Sequence, residues 1–222
     1  MIFKKTIDYS KITEYNREQK TKRQNFCILN EEYALKNQTV LLGDSITDFF
    51  NWYELFYDFS KNSGQAVYNR GISGDTTDRL LERLQENVLN INPKNIVLLI
   101  GTNDIGRGLP LSMSIENVGK IIEDTKKVLP DIKIILMEPY ILEGISTKDE
   151  FEKFKEVYKY AEVIKKLASE YNLPFVPLQE KFNTLAKENG VDCYMKDGVH
   201  PDPAGARVIA DEWLDTFYKN VL

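Results

Sequence analysis

Short runs that are apolar at nearly every position alternate along the chain with longer stretches in which apolar residues recur every three or four. The short runs are residues 39–42, 66–68, 95–100, 132–137 and 173–178. A strand apolar on both faces is one covered on both faces, as in a parallel sheet lying between two helical layers. Between the runs, Leu80, Leu81, Leu84 and Val88 repeat at helical spacing. So do Ile115, Val118, Ile122 and Leu129, and then Phe151, Phe154, Val157, Ala161, Ile164 and Ala168 ahead of the breaker Asn172-Leu173-Pro174. A last helix is expected to open at Asp202-Pro203, an N-cap followed by proline in the first turn, and to turn Val208, Ile209 and Trp213 inward. Strand and helix in alternation imply an α/β fold, a three-layer α/β/α sandwich around a parallel sheet. The first 36 or so residues have weak periodicity and are expected to pack on the core as an extra helix and loop.

Length and composition narrow the class. The 222 residues suit one domain spanning 1–222, with no internal repeat, low-complexity tract or Pro/Gly/Ser linker to divide it. Hydrophobic residues at 42% and charged residues at 28% are the balance of a soluble globular protein. No run approaches the roughly 18 apolar residues of a membrane span, and the start lacks the apolar stretch of a secretory signal, so a cytoplasmic location is expected. The net charge of −5 disfavours nucleic acid and anionic membrane as partners. Cys27 and Cys193 stand in unrelated contexts, which predicts neither a disulfide framework nor a metal site. No metal or organic cofactor is expected. The chain has a single histidine, so any histidine-dependent chemistry runs through His200.

Four segments at the ends of the expected strands carry candidate chemistry. The first strand runs into Gly43-Asp44-Ser45-Ile46-Thr47, and residues 48–59 read as helical. A serine there sits at the carboxyl end of a parallel strand and near a helix N-terminus, where ligands bind and negative charge is favoured; alternatively Ser45 or Thr47 caps the helix. The segment is not the Gly-x-Ser-x-Gly elbow of α/β-hydrolases. After the second strand, Asn69-Arg70-Gly71-Ile72-Ser73-Gly74-Asp75-Thr76 holds two glycines that allow an amide to point into a cleft, and Asp75 or Thr76 to cap the next helix. The third strand ends in Gly101-Thr102-Asn103-Asp104, whose asparagine offers two N–H donors at the same sheet edge, although Asn is also a routine turn residue. Finally, Asp197-Gly198-Val199-His200-Pro201 puts the histidine three residues after an aspartate. A bend through Gly198 folds the carboxylate back on the imidazole and fixes its tautomer, unless this is an ordinary surface loop.

Together, Gly-Asp-Ser, Asn-Arg-Gly-Ile-Ser-Gly, Gly-Thr-Asn-Asp and Asp-Gly-Val-His-Pro resemble the blocks of the SGNH/GDSL hydrolase family, in its order and intervals, over about residues 38–219. Ile46 stands where the family often has Leu. The resemblance implies a flavodoxin-like five-stranded sheet in the order 2-1-3-4-5. It also implies Ser45 as nucleophile, His200 as base and Asp197 orienting His200, with the oxyanion held by the backbone N–H groups of Ser45 and Gly71 and by the Asn103 side chain. The implied partner is a small acyl ester, an O-acetylated carbohydrate or other short-chain ester first, with lysophospholipids and acyl thioesters open. The rival from another class is a non-catalytic flavodoxin-like module that binds a phosphate or cofactor in the same turns. Trp52, Tyr53 and the loop at 138–149, with Pro139, Tyr140 and Gly144, are expected to line the cleft or else to pack in the core.

Overall fold

In the computed structural model, residues 16–142, Glu152 and 154–220 are described. Five parallel strands form one sheet: β1 (Thr39–Gly43), β2 (Val67–Gly71), β3 (Asn95–Leu99), β4 (Lys133–Met137) and β5 (Phe175–Val176). Their order is β2-β1-β3-β4-β5, so the chain reverses its direction of travel across the sheet between β1 and β3. This is the 2-1-3-4-5 arrangement that the sequence motifs imply.

Every residue of β1 and β3 is buried, which is why these runs lack a polar alternate position. Leu41, Val97, Leu99 and Met137 face Trp52, Phe56, Ile209 and Trp213. Alternation of side chains sends Val40, Leu42, Ile96 and Leu98 to the opposite face. Each fully buried aliphatic side chain of this kind contributes ~1.5–3 kcal/mol relative to exposure.

The helices are α1 (Arg17–Glu32), α2 (Ser45–Asp48), α3 (Trp52–Leu55), α4 (Tyr57–Ser63), α5 (Thr77–Asn87), α6 (Thr102–Gly106), α7 (Leu111–Val128), α8 (Val157–Glu170), α9 (Gln179–Asn189) and α10 (Pro203–Asn220). α1, α5, α7 and α8 contact one another in succession, while α3, α4 and α10 meet through aromatic rings. Phe56 and Phe59 each pack edge-on against Trp213, at 4.6 and 5.2 Å between centroids. The single helix expected over 48–59 is in fact three short ones, with Trp52, Phe56 and Phe59 turned inward. α10 begins as expected: Asp202 Oδ1 accepts the Gly205 N–H at 2.8 Å, and Pro203 is its first residue.

α1 lies on α5 through polar contacts. Asn30 Nδ2 donates to the Glu86 and Asn87 carbonyls, and Arg23 pairs with Glu82 and Glu86. Residues 1–15 of the amino-terminal extension, Gly144 and Phe151 lie outside the described residues. No helix among the described residues is long and apolar enough to cross a membrane.

Candidate active site

The carboxyl ends of β1, β2 and β3 bring three loops together around Ser45. Asp44, not Ser45 or Thr47, caps α2: its Oδ1 accepts the Ile46 N–H at 3.0 Å. The serine hydroxyl is therefore not spent on the helix end. Gly43 permits this geometry, since a Cβ there would fall 2.3 Å from the Leu99 carbonyl oxygen and from Thr47 Oγ1. Ile46, in place of the commoner Leu, is buried in the core.

His200 Nε2 lies 2.8 Å from Ser45 Oγ, and His200 Nδ1 lies 2.7 Å from Asp197 Oδ2. The carboxylate can only accept, so Nδ1 carries the proton and Nε2 offers a lone pair to the serine O–H. The loop that makes this contact is tightly bent. Gly198 adopts a positive φ of 82°, and Asp197 Oδ1 accepts the N–H groups of Val199 and His200 at 3.0 and 2.8 Å. The Leu142 N–H donates to the Gly198 carbonyl and the Lys196 N–H to that of His200, which fastens the bend to its surroundings. Partial burial pushes the Asp197 carboxyl up, but the hydrogen bonds from the His200 backbone and ring and from Val199 outweigh it and hold the group below its ordinary value.

Asp44 is in the opposite state. It is almost fully buried and Oδ2 has no hydrogen-bond partner among the described residues. Burial pushes its carboxyl up to about 7; the Ile46 N–H offsets part of this, and the negative charges of Asp75 and Asp104 add to it.

Gly71 is not brought to this site, in correction of the sequence expectation. Its N–H donates to Asn69 Oδ1 at 2.8 Å, and a Cβ there would sit 2.5 Å from the Asp48 nitrogen. Gly71 is thus a close-approach position that lets α2 lie on β2. The second glycine of the same segment behaves differently. Gly74 has φ 79°, and the backbone polar groups around it are engaged one after another. The Ser73 N–H goes to Asp48 Oδ2 (2.7 Å), and the Ser73 carbonyl takes Gln19 Nε2 (2.6 Å). The Gly74 carbonyl takes Arg107 Nη2 (2.9 Å), and the Asp75 N–H goes to the Ile72 carbonyl (3.1 Å). The Asp75 carbonyl takes Asn103 Nδ2 (2.9 Å). The N–H of Gly74 has no partner among the described residues, nor has that of Ser45. The two glycines look alike in sequence; only the side chain of Asn69 and the sign of φ at Gly74 tell them apart.

Asn103 borders the same cleft, with one of its two amide hydrogens used on Asp75. The cap of α5 also differs from expectation: Thr76 is the N-cap residue but makes no side-chain cap bond, and Asp104 accepts the Thr77 N–H (3.0 Å) and hydroxyl (2.6 Å) instead. One buried group that the motifs did not single out, Arg83, completes the support. Arg83 Nε donates to Asp75 Oδ2 at 2.7 Å and Arg83 Nη2 to the Gly43 carbonyl at 3.2 Å.

The cleft, about 130 Å³, is lined by Ser45, Ile46, Thr102, Asn103, Phe154 and Val199 together with the acidic and imidazole groups above. Trp52 takes the core option: it is buried, with its ring N–H donated to the Thr47 carbonyl at 2.6 Å. Pro139 and Tyr140 are likewise buried. Tyr53 is exposed, and so is Phe49, whose ring centroid is 5.4 Å from that of His200.

Residues 41–208 match the model of the GDSL-like Lipase/Acylhydrolase family. The chain belongs to this family. As a GDSL-family acylhydrolase it is a carboxylic ester hydrolase. It is 31% identical over 161 residues to an acetylxylan esterase of Geobacillus stearothermophilus, covering 68% of this chain and 71% of the relative. It is 25% identical over 193 residues to thioesterase 1/protease 1/lysophospholipase L1 of Escherichia coli strain K12, covering 84% and 86%. Among solved structures, a catalytic mutant of an acetylxylan esterase from Geobacillus stearothermophilus superposes with a TM-score of 0.70 at 25% identity, over 83% of this chain and 95% of that one.

Proposed function

We propose that this GDSL hydrolase is a serine esterase that removes short acyl groups, acetyl first among them, through an acyl-enzyme on Ser45. The observation that carries the reading is the relay Ser45 Oγ to His200 Nε2 to Asp197, with contacts of 2.8 and 2.7 Å. A serine hydroxyl is a weak nucleophile until a base within hydrogen-bond reach takes its proton. In the first half-reaction Ser45 Oγ bonds to the ester carbonyl carbon as its proton passes to His200 Nε2. The tetrahedral oxyanion is held by the N–H groups of Ser45 and Gly74 and by the side-chain amide of Asn103. Collapse breaks the bond to the leaving alkoxide, which takes the proton from His200. Water then repeats the sequence on the acyl-enzyme and releases the acid. Asp197 keeps Nδ1 protonated and steadies the imidazolium as it forms.

The small cleft favours an acyl group of a few carbons over a fatty chain. Phe49 is exposed, and its ring lies 5.4 Å from the imidazole. An exposed aromatic ring beside the imidazole suits a sugar alcohol, which presents apolar C–H faces together with hydroxyls. The acetylxylan esterase relative supports the same substrate class. Lysophospholipid or acyl-thioester hydrolysis is the second reading, favoured by the name of the Escherichia coli relative. Hydrolysis of p-nitrophenyl esters from acetate to palmitate, alongside acetylated xylo-oligosaccharides and an acyl thioester, separates the readings. The proposal expects kcat/KM to be highest at acetate and to fall with chain length; a maximum at long chains overturns it. No hydrolysis of any ester would leave a ligand-binding module.

A further inference from the structure

We propose that α1, which precedes the segment matching the family, acts on catalysis: Gln19 is a positioning residue that aims the Gly74 N–H at the reacting oxygen. The proposal rests on the reading of Gly74 as an oxyanion donor.

A peptide unit is planar and trans, so its C=O and N–H point in opposite directions. The Ser73 carbonyl and the Gly74 N–H belong to one such unit. Gln19 Nε2 donates to that carbonyl at 2.6 Å, which turns the oxygen toward α1 and the N–H away from it. A carbonyl that accepts a hydrogen bond also polarises its own peptide, making the N–H a stronger donor.

The Gln19 amide cannot reverse without losing partners. Its Oε1 accepts the Asn16 N–H at 3.0 Å and Arg79 Nη1 at 3.2 Å, and the backbone N–H of Gln19 is held by Asn16 Oδ1 at 2.9 Å in a capping box. The side chain is buried, and a Cβ on Gly74 would lie only 2.9 Å from Gln19 Nε2. One turn further along α1, Lys22 pairs with Asp48, the carboxylate whose other oxygen holds the Ser73 N–H. Asp48 ends the helix that Ser45 begins. α1 therefore grips both polar groups of Ser73, one directly and one through the nucleophile's own helix.

The test uses the full chain and three variants. Gln19→Glu keeps the size and the accepting oxygen but loses the donor to Ser73; Gln19→Leu loses both. Arg23→Ala removes ion pairs of α1 with Glu82 and Glu86, away from the turn. Misplacing a donor by a fraction of an ångström acts on kcat, so both Gln19 variants are expected to lose kcat by about 10-fold or more. KM for p-nitrophenyl acetate is expected to change less than about 2-fold, as for an interaction made only in the transition state. Affinity for a boronic acid, which forms a tetrahedral anion on Ser45, is expected to fall in step with kcat. Arg23→Ala is expected to lower Tm and leave kcat unchanged. If Gln19→Glu keeps wild-type kcat while Asn103→Ala loses it, the oxyanion reading stands and the role of α1 is refuted. If Asn103→Ala keeps it as well, the oxyanion reading itself has failed. An equal loss in Arg23→Ala would show that α1 only stabilises the fold, which also overturns the proposal.

Discussion

Arg83 and Asp75 form an ion pair with no exposed surface on either side chain, Nε to Oδ2 at 2.7 Å, in the layer directly beneath the active-site loops. Arg83 reaches from the pair to the Gly43 carbonyl, two residues before Ser45, and Asp75 is next to Gly74. The pair joins the β1 and β2 loops from below. Removing one member leaves a buried charge uncompensated, which costs about 3–5 kcal/mol. Arg83→Met and Asp75→Leu are each expected to lower stability by that order in urea titrations, and the double variant Arg83→Met/Asp75→Leu by clearly less than the sum of the two. Additive losses would contradict the pairing.

Asn103 makes a kinetic prediction. Its amide borders the cleft with one hydrogen used on Asp75, and the proposed mechanism gives the other to the oxyanion. Loss of a donor of this kind costs roughly 10²–10³-fold in kcat. Asn103→Ala is expected to show that loss in steady-state hydrolysis of p-nitrophenyl acetate with circular dichroism unchanged. A wild-type rate would remove Asn103 from the mechanism.

Asp44 makes a prediction about pH. Its carboxyl, pushed up to about 7 mainly by burial, is protonated in the folded chain at pH values where the unfolded chain has already lost the proton. The folded state therefore binds more protons between the ordinary aspartate value and about 7, and the contribution to stability is present at low pH and lost as pH rises through that window. Asn caps a helix as well as Asp does, so Asp44→Asn removes the titration while keeping the cap. Tm of the wild type is expected to fall relative to Asp44→Asn between pH 5 and pH 8; parallel curves would contradict the burial argument.

Gly101 sits at φ 115°, and a Cβ there would fall 2.2 Å from the Tyr160 ring. Both terms make Gly101→Ala unfavourable, the backbone alone by about 1–3 kcal/mol. The variant is expected to melt lower and to lose kcat, because the loop it strains leads into Asn103. Wild-type melting would show that the loop relaxes freely.

What the sequence made legible follows from what side chains must do. Parallel strands buried on both faces leave uninterrupted apolar runs, so the sheet could be read; Asp202 and Pro203 announced α10 by local cap chemistry. Ser45, Asp197 and His200 stand in short segments whose residue types have few other uses together. Gly71 and Gly74 could not be separated, because the difference lies in where Asn69 puts its oxygen. Trp52 and Tyr53 are neighbours whose fates, one buried and one exposed, depend on where a helix expected to be continuous breaks into three. α1 gave little signal because it docks through Gln19, Arg23 and Asn30 with Phe26 as its single buried apolar side chain, and one such residue makes no apolar stripe to detect.

The account turns on a covalent bond to Ser45. Brief mixing with p-nitrophenyl acetate, acid quenching and peptide mass spectrometry locate any trapped acetyl group. The account predicts acetylation of the peptide containing Ser45, with release of p-nitrophenol ahead of acetate, and loss of both in Ser45→Ala. Acetyl on a different side chain, or undiminished turnover in Ser45→Ala, would contradict it.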